Sequence, residues 1–193
     1  MSKIILVTHQ KGGVGKSTLT FNMASILKND VKTAIIDFDL QGSLYKSRAN
    51  SEIPIFNKDE IKNIKNLDFD FVFIDTPPYL TEELPNLCKL ADAILIPTKT
   101  GIYDLLAIED TINIIKQVGK EDKTLIVFNM VKPNTTLTTE MQEAIENYNI
   151  TVAETKISDL VAFTRSAMNK GVEDSKKAQQ QIEALTREIL SKI

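Results

Sequence analysis

The segment from Gln10 to Thr18 constrains this chain more than any other part of it. It reads Gln-Lys-Gly-Gly-Val-Gly-Lys-Ser-Thr and lies between an apolar run at 4–7 and a helix-type run at 19–27. A glycine-rich loop in this position lets backbone N–H groups converge on phosphate oxygens, and the helix behind it directs its positive N-terminal end at the same anion. The segment therefore predicts a phosphate-binding loop and a nucleoside triphosphate site.

Two lysines bracket this loop. In a loop of this kind Lys16 reaches the β- and γ-phosphates, and the Ser17 hydroxyl ligates Mg²⁺. Lys11 stands at the loop entrance, and Gln10 occupies the position where the usual pattern G-x-x-x-x-G-K-[ST] begins with glycine. Because Lys16 can neutralise phosphate within one subunit, Lys11 is left for another phosphate contact. The predicted nucleotide-binding residues of the loop are Lys11, Gly12, Gly13, Val14, Gly15, Lys16, Ser17 and Thr18.

Aspartates end two further apolar runs. Asp37 and Asp39 follow the run at 33–36, and their i, i+2 spacing at a strand end points both carboxylates to one face. There they could hold Mg²⁺ through water and orient an attacking water, although acidic turns are common. Asp75 closes a run of apolar residues, as in a strand that presents a carboxylate to Mg²⁺. The predicted metal site thus comprises Ser17, Asp37, Asp39 and Asp75, with a turn or helix cap as the alternative for Asp75.

Apolar, β-branched runs alternate with helix-type segments along the chain. The runs are at 4–7, 33–36, 69–74, 93–96, 125–128 and, more weakly, 150–152. The helical patterns are at 19–28, 58–66, 82–90, 104–118, 136–147, 159–169 and 175–192. Most runs lack polar alternation, which is typical of parallel strands covered by helices on both faces. We therefore expect an α/β fold with a doubly wound, mostly parallel sheet in a single domain over 1–193. Between Asp37 and Asp75 we expect room for one crossover and little else.

Composition narrows the setting and the chemistry. The chain is 42% hydrophobic and 25% charged, as soluble globular domains are, and its apolar runs are too short for a membrane-spanning helix. One cysteine, Cys88, and one histidine, His9, cannot build a disulfide framework or a zinc cluster, so a reducing cytoplasm is expected. We interpret Cys88 as a buried apolar residue and His9 as part of the loop structure rather than a general base. The formal charge of −3 argues against wholesale wrapping of nucleic acid but leaves room for a local basic patch.

Three of these segments together resemble the ParA/MinD family of ATPases. The phosphate loop with its extra lysine is similar to the family's deviant Walker A loop. Asp-Phe-Asp-Leu-Gln at 37–41 is similar to the family's D-x-D-P-Q switch, with Leu40 where proline is usual, and Asp-Thr-Pro-Pro at 75–78 is also typical of the family. The short crossover and the segment at 181–189 look like those of the small ParF-like plasmid partition proteins.

The resemblance implies roles for individual residues. ATP with Mg²⁺ is the implied nucleotide, and Lys11 is implied to cross a dimer interface to the nucleotide of the partner, while Lys16 serves its own. Asp39 is implied to position the hydrolytic water and Asp37 to support the metal. Asn129 is implied to pair with the N6/N7 edge of adenine, although an ordinary strand-end asparagine has the same appearance. The stretch at 94–105 is implied to line the dimer face.

The function that the resemblance implies is ATP-driven partition. A ParA-type protein forms a homodimer in the ATP state, binds DNA without sequence preference, and hydrolyses ATP slowly until an adaptor of the ParB or ParG kind stimulates it. Arg165 and Lys170, in the C-terminal third, are the implied DNA contacts, with a solvated helix surface as the alternative. Such a protein is cytoplasmic and nucleoid-associated. No N-terminal helix-turn-helix domain is expected, because the first strand begins near residue 3.

Other functions share the same motifs. A MinD-like, ATP-dependent membrane switch needs a basic amphipathic helix, and the helix at 175–192 has an apolar stripe but also holds Glu183 and Glu188 and lacks Phe and Trp. An iron protein of the same superfamily needs bridging cysteines, which Cys88 alone does not provide. A small-molecule kinase or ligase needs a substrate pocket that the sequence does not identify. A structural protein with an inactive loop is disfavoured because the predicted phosphate and metal ligands are all present.

Overall fold

Parallel strands form the centre of the molecule, in a computed structural model that describes residues 1–60, 67–133, 144–166 and 171–193. The strands are β1 (Lys3–Val7), β2 (Thr33–Asp37), β3 (Ile55–Asn57), β4 (Phe71–Asp75), β5 (Ala93–Thr98), β6 (Thr124–Phe128) and β7 (Thr151–Val152). The principal α-helices are α1 (Lys16–Leu27), α2 (Ser43–Ser47), α3 (Leu84–Leu90), α4 (Ile102–Leu106), α5 (Glu109–Gln117), α6 (Val161–Arg165) and α7 (Lys176–Leu190). Short 3-10 turns lie at Arg48–Asn50, Lys58–Glu60 and Glu121–Lys123.

The described residues form a single seven-stranded sheet in the order β3-β2-β4-β1-β5-β6-β7. Every strand pair in it is parallel. Helices cover both faces, so the predicted doubly wound α/β fold is confirmed. None of the helices within the described ranges is long and apolar enough to cross a membrane.

Successive residues of a strand enter two different cores, one on each face of the sheet. In β1, Ile5 and Val7 pack with the side of the sheet covered by α1 and α7, whereas Ile4 and Leu6 pack with the side covered by α3 and α5. All four side chains are fully buried. This explains why the strand sequence is apolar throughout: a parallel strand between two helical layers has no face left for polar side chains.

The strand register places the candidate site. Val7, at the end of β1, lies opposite Asp75, and Asp75 in turn lies opposite Asp37 at the end of β2. The phosphate loop and both aspartates therefore meet at the carboxyl edge of the sheet. Ligands of open α/β sheets bind at this edge.

The segment between β2 and β4 differs from the expectation. It holds an additional strand, β3, which pairs with β2 at the edge of the sheet, so the prediction of one crossover and little else was wrong. The strand is only three residues long and follows Pro54, and its Ile55 is buried while Phe56 and Asn57 are half-buried. A run this short carries no periodic signal that sequence analysis can detect.

Three of the predicted helices differ in extent from the observed elements or lie partly outside the described residues. The helix expected at 104–118 is two helices, because the Ile108 N–H bonds to the Leu105 carbonyl and so tightens the turn between α4 and α5. This turn directs Ile108, Ile112 and Ile115 into the core. The helix expected at 58–66 begins as the 3-10 turn, and its remainder at 61–66 lies outside the described residues. The helix expected at 136–147 lies outside them up to residue 143, and 144–146 are helical.

Candidate functional site

The loop between β1 and α1 has the backbone that a phosphate cradle requires. Gly13 and Gly15 have φ values of 70° and 95°, in the region that favours glycine. A Cβ at Gly15 would overlap the amide nitrogen of Asn129, so glycine is required there for space as well. The Gly15 carbonyl accepts the Leu19 N–H at 2.9 Å and so begins α1 directly at the loop. The N-terminus of α1 therefore points into the loop, as anion binding needs.

Lys16 lies under the loop. Its side chain is largely buried, and its Nζ donates to the Lys11 carbonyl at 3.1 Å. Burial lowers the pKa of Lys16, while the charges of Asp75 and Asp39 oppose that shift. The pocket beside it is lined by Gly12, Gly13, Gly15, Lys16, Ser17, Thr18, Asp39, Thr76, Pro78 and Met130. The structure thus brings together most of the residues that the sequence predicted for the nucleotide. Lys11 and Val14 are the exceptions in the loop, because neither lines this pocket, and the Val14 side chain is fully buried.

Asp75 and Ser17 have the chemistry of a Mg²⁺ site. Asp75 is almost fully buried, and its side chain is hydrogen-bonded to Ser17. Its Oδ1 atom is buried and finds no hydrogen-bond partner among the described residues. Burial raises the pKa of Asp75 to about 7. An orphaned carboxylate oxygen beside a hydroxyl fits a hard cation, which would satisfy that oxygen.

The described residues do not provide a complete set of metal ligands by themselves. No group of three or more His, Cys, Asp or Glu side chains arranged to hold a metal exists in the described part of the chain. Mg²⁺ in nucleotide sites is usually bound by one or two protein groups, with phosphate oxygens and water completing its shell. The pair formed by Ser17 and Asp75 fits that arrangement.

The Asp37 carboxylate is engaged in hydrogen bonds with backbone N–H groups. Its Oδ1 accepts the Asp39 N–H at 2.9 Å, and its Oδ2 accepts the N–H groups of Leu44 and Tyr45 at 3.1 and 3.0 Å. It therefore caps α2 and holds the turn that follows β2. Burial raises the pKa of Asp37, and these three backbone donors oppose the shift. Asp37 is not among the residues that line the phosphate pocket, so its support of the metal, which stays a prediction, would act through the position of Asp39.

Asp39 is the aspartate of this turn that faces the pocket. It is half-buried, and its Oδ1 accepts the Gln41 N–H at 2.9 Å, which fixes the carboxylate in a local turn. Leu40 beside it is 77% exposed. Asp39 thus lies where it can meet water and the phosphate chain together, and its predicted role in orienting water remains open to test.

Lys11 turns away from its own phosphate loop. Its Nζ lies 2.5 Å from the Asp104 Oδ1 at the start of α4, and the Lys11 side chain is 42% exposed. Gln10 beside it donates to the Ala107 carbonyl at the end of the same helix. The entrance of the loop is therefore tied to α4. The family resemblance implies a dimer face around Asp104 but not this ion pair, since no local pattern connects positions 93 residues apart.

His9 has a structural role. It is fully buried, and its Nδ1 accepts the Lys11 N–H at 2.7 Å, while its Nε2 finds no partner among the described residues. Burial lowers the pKa of His9 to about 4, and the nearby charge of Lys16 acts in the same direction. His9 is thus neutral at physiological pH. Cys88, also fully buried, has a pKa raised by burial to about 12, so it is not a nucleophile.

Asn129 braces the loop from the end of β6. Its Nδ2 donates to the Val14 carbonyl at 2.8 Å, and its Oδ1 accepts the Met130 N–H at 2.9 Å. A second cavity adjoins the phosphate pocket here and is lined by Thr18, Asn129, Met130, Ser158, Asp159, Leu160, Phe163 and Thr164. The predicted contact of Asn129 with adenine stays a prediction, because the amide also serves the loop.

Apolar side chains lie exposed on the loops and helices that follow the strands. They are Leu40, Tyr79, Leu80, Ile102, Tyr103, Leu106 and Val161, from 39% to 80% exposed. Most follow the carboxyl ends of strands, on the same edge of the sheet as the phosphate loop.

Of the two predicted DNA contacts, Arg165 lies exposed on α6, and Lys170 lies outside the described residues.

Comparison with known proteins agrees with this geometry. Residues 5–172 match the protein family described as the CobQ/CobB/MinD/ParA nucleotide binding domain. The chain is 30% identical over 185 residues to the maintenance of carboxysome distribution protein A of Halothiobacillus neapolitanus, which covers 87% of this chain and 84% of that protein. It is 26% identical over 203 residues to the sporulation initiation inhibitor protein Soj of Bacillus subtilis, over 77% and 80% of the two chains.

A solved structure shows the same fold. It is a Borrelia burgdorferi protein, assigned to plasmid partition and bound to AMPPNP, with a TM-score of 0.75 and 20% identity over 100% of both chains.

Proposed function

Because the chain belongs to the CobQ/CobB/MinD/ParA nucleotide-binding family, we propose that it is a ParA-type ATPase that closes around ATP as a homodimer and positions a cargo in the cell. The resemblance to the ParA/MinD family that the sequence predicted is confirmed at this level. One observation carries the proposal. The phosphate loop holds two lysines, and the one at its entrance, Lys11, is paired with Asp104 rather than directed into its own pocket.

ATP with Mg²⁺ fits the pocket residue by residue. Lys16 lies at the base of the loop, where it can bind the β- and γ-phosphates. Ser17 and Asp75 would hold Mg²⁺, which when bound neutralises charge on the phosphate oxygens. Asp39 lines the same pocket, which supports its proposed role of orienting a water and accepting its proton. Hydrolysis by positioning and electrostatic stabilisation needs no further side-chain chemistry.

A homodimer would explain why Lys11 lies at the rim of its own site. A half-exposed ammonium at the rim of one site can reach a nucleotide held by a second copy facing it, once it leaves Asp104. In a two-fold dimer the same patch meets itself, so both lysines cross at once. The exposed apolar residues on this edge of the sheet, Tyr103 and Leu106 among them, supply area that such a dimer would bury.

The names of the relatives favour positioning of a cargo rather than small-molecule chemistry. One maintains carboxysome distribution, and a protein of the same fold is assigned to plasmid partition. We therefore include in the proposal an adaptor of the ParB or ParG kind that stimulates slow turnover, and non-specific DNA binding by the dimer, with the protein in the cytoplasm on the nucleoid. Arg165 is the described candidate for a DNA contact, and two-fold symmetry would double its effect. The kind of cargo is left open, since both kinds of relative fit.

The MinD-like membrane switch is the second candidate, and no observation on the described part of the chain favours it. The apolar stripe of α7, formed by Ile182, Leu185 and Ile189, is fully buried in the core. This helix as folded therefore presents no apolar face to lipid.

The proposal is tested by measuring particle mass with light scattering, ATP turnover and DNA retention on the same protein. We expect a dimer that retains DNA with ATP, and a monomer that does not with ADP. Asp39→Ala should keep the ATP dimer and lose turnover, whereas Lys16→Ala should weaken ATP binding itself. A protein that binds ATP but stays a monomer at all concentrations would contradict the proposal.

A further inference from the structure

We propose that Gln181 and Glu188, both on α7, are positioning residues for the nucleoside part of the nucleotide. They hold the segment at 154–158, which leads into the residues that form one wall of the cavity next to the phosphate pocket. The inference rests on the proposed nucleotide site and adds to it a connection between that site and the last helix. Neither residue touches the cavity itself, so both act through the segment.

The position of the nucleoside follows from the two cavities. Asp39 lines the phosphate pocket, and its proposed role in orienting water puts the reacting terminal phosphate on its side of that pocket. The second cavity adjoins the pocket elsewhere, since both are lined by Thr18 and Met130. A nucleotide whose phosphates lie in the loop must extend away from the reacting end, and Asp39 does not line this second cavity. Its outer wall is formed by Ser158, Asp159 and Leu160, which follow β7 without belonging to a helix or strand.

The segment at 154–158 depends on side chains of α7 for its backbone hydrogen bonds. The Glu154 and Thr155 N–H groups donate to the two carboxylate oxygens of Glu188 at 2.8 and 2.9 Å. The Ser158 N–H donates to the Gln181 Oε1 at 3.1 Å, and the Gln181 Nε2 donates to the Ser158 hydroxyl at 2.9 Å. Two side chains thus satisfy three backbone donors of one short segment, and those made by Glu188 are charge-assisted.

The helix that carries these side chains is firmly placed. Its inward residues Ala178, Ile182, Leu185 and Ile189 are fully buried. Gln181 and Glu188 are seven residues apart, so they lie on the same side of the helix, two turns from each other. A rigid helix with two fixed polar contacts sets the position of the segment more closely than solvent would.

The other side of the segment is held by backbone hydrogen bonds to the end of β6 and to the residues that follow it. The Ile157 N–H donates to the Phe128 carbonyl at 2.9 Å, and the Asp159 N–H donates to the Val131 carbonyl at 3.0 Å. These bonds remain when a side chain of α7 is changed, so the segment should lose its outer support without losing its place in the fold. The phosphate loop shares none of these bonds. Loss of Gln181 or Glu188 should therefore affect the nucleoside and spare the triphosphate.

The test compares two ligands by calorimetry in Mg²⁺ buffer: ATP, and inorganic tripolyphosphate, which fills the phosphate loop and has no nucleoside. Gln181→Ala and Glu188→Gln should each weaken ATP binding about three- to tenfold, as the loss of one or two hydrogen bonds permits. Tripolyphosphate binding should stay at the wild-type value. This selectivity is not expected from general destabilisation of the protein, which would weaken the binding of both ligands.

Two further variants make the result specific. Gln181→Glu keeps an acceptor for the Ser158 N–H and can accept the Ser158 hydroxyl, so it should restore most of the ATP affinity. Glu183→Gln makes the same charge change as Glu188→Gln on the same helix, but Glu183 contacts Gln179 and should leave both ligands unaffected. If Gln181→Ala and Glu188→Gln weaken the binding of ATP and tripolyphosphate equally, or change the binding of neither, this inference alone is overturned. Failure of the wild-type protein to bind both ligands would overturn the proposed nucleotide site as well.

Discussion

The Lys11 ammonium lies 2.5 Å from the Asp104 carboxylate of its own chain, although Lys11 belongs to a loop built for phosphate. The pair joins the entrance of that loop to α4, on the edge of the sheet where exposed apolar residues lie. In the proposed dimer Lys11 must exchange this partner for the phosphate of the facing copy. The ion pair therefore opposes dimer closure by the free energy of a partly exposed contact, which is small.

Asp104→Asn should strengthen the ATP-dependent dimer. Removal of the carboxylate frees Lys11, and the dimer dissociation constant should fall about two- to fivefold, the range for such a pair. Sedimentation velocity with a non-hydrolysable ATP analogue measures this constant. Asp68→Asn, which removes the exposed pair with Lys32, is the matched control and should change nothing. A weaker dimer in Asp104→Asn would mean that Asp104 contributes to the interface rather than opposing it.

His9 should remain uncharged far below the pH at which histidine usually titrates. Its folded pKa of about 4 lies below the ordinary value of 6.5, so the stability it contributes is present above pH 6.5 and lost as the pH falls toward 4. Because His9 is the only histidine of the chain, the NMR signals of its two imidazole C–H protons can be assigned to it and titrated directly. A midpoint near 6.5 in the folded protein would contradict the burial of this ring.

Asp75→Asn should stabilise the protein without nucleotide and remove its response to Mg²⁺-ATP. The folded pKa of about 7 lies above the ordinary 3.8, so the contribution of Asp75 to stability is present below pH 3.8 and lost as the pH rises through 7. At pH 8 the wild-type Asp75 is largely ionised, which leaves a buried, unpaired charge. The asparagine side chain of the variant is neutral and avoids that charge.

Thermal unfolding in EDTA measures this effect. The free energy of unfolding of Asp75→Asn at pH 8 should exceed that of the wild type by at least about 1 kcal/mol, which is about 2–4 °C in Tm for a chain of this length. The gap should narrow at pH 5. Asp30→Asn, in an exposed turn, is the control. A lower Tm for Asp75→Asn at pH 8 would argue that the carboxylate is already paired in the free protein.

Gly15→Ala should lower the free energy of unfolding by more than backbone strain alone would. The φ of 95° disfavours any Cβ, and the added atom would also push the Asn129 amide off the Val14 carbonyl. Gly119→Ala isolates the first effect, because Gly119 has a φ of 66° and nothing within 4 Å of an added Cβ. We expect about 1 kcal/mol for Gly119→Ala and about 1–3 kcal/mol more for Gly15→Ala, by denaturant unfolding. Equal costs would show that the Asn129 contact carries little stability.

The strongly patterned parts of the chain could be predicted from sequence, and the parts fixed by distant contacts could not. The phosphate loop, the apolar strands and Asp75 carry local signals, because each needs particular residues at fixed spacing. The short edge strand β3 has too few residues for a period. The cap made by Asp37 and the pairing of Lys11 with Asp104 depend on where separate segments meet.

The C-terminal helix illustrates the same limit. Its apolar stripe is visible in the sequence, where Glu188 shows only as a charge that disfavours a membrane surface. In the structure Glu188 accepts two backbone N–H groups of a segment more than 30 residues earlier in the chain. A carboxylate on a helix gives no sign in the sequence of whether it faces solvent or a distant loop.

In the proposed dimer Lys11 acts on the nucleotide of a second copy, and a mixture of two inactive variants can reveal this. Lys11→Ala keeps Asp39 and its own pocket, and Asp39→Ala keeps Lys11, so each should show little ATP turnover alone. In a heterodimer the Lys11→Ala protomer holds a complete site if the lysine comes from its partner. An equimolar mixture should then recover about a quarter of the wild-type sites, since half of randomly formed dimers are mixed and each has one complete site of two. A mixture as inactive as its two components, although heterodimers form, would contradict the account.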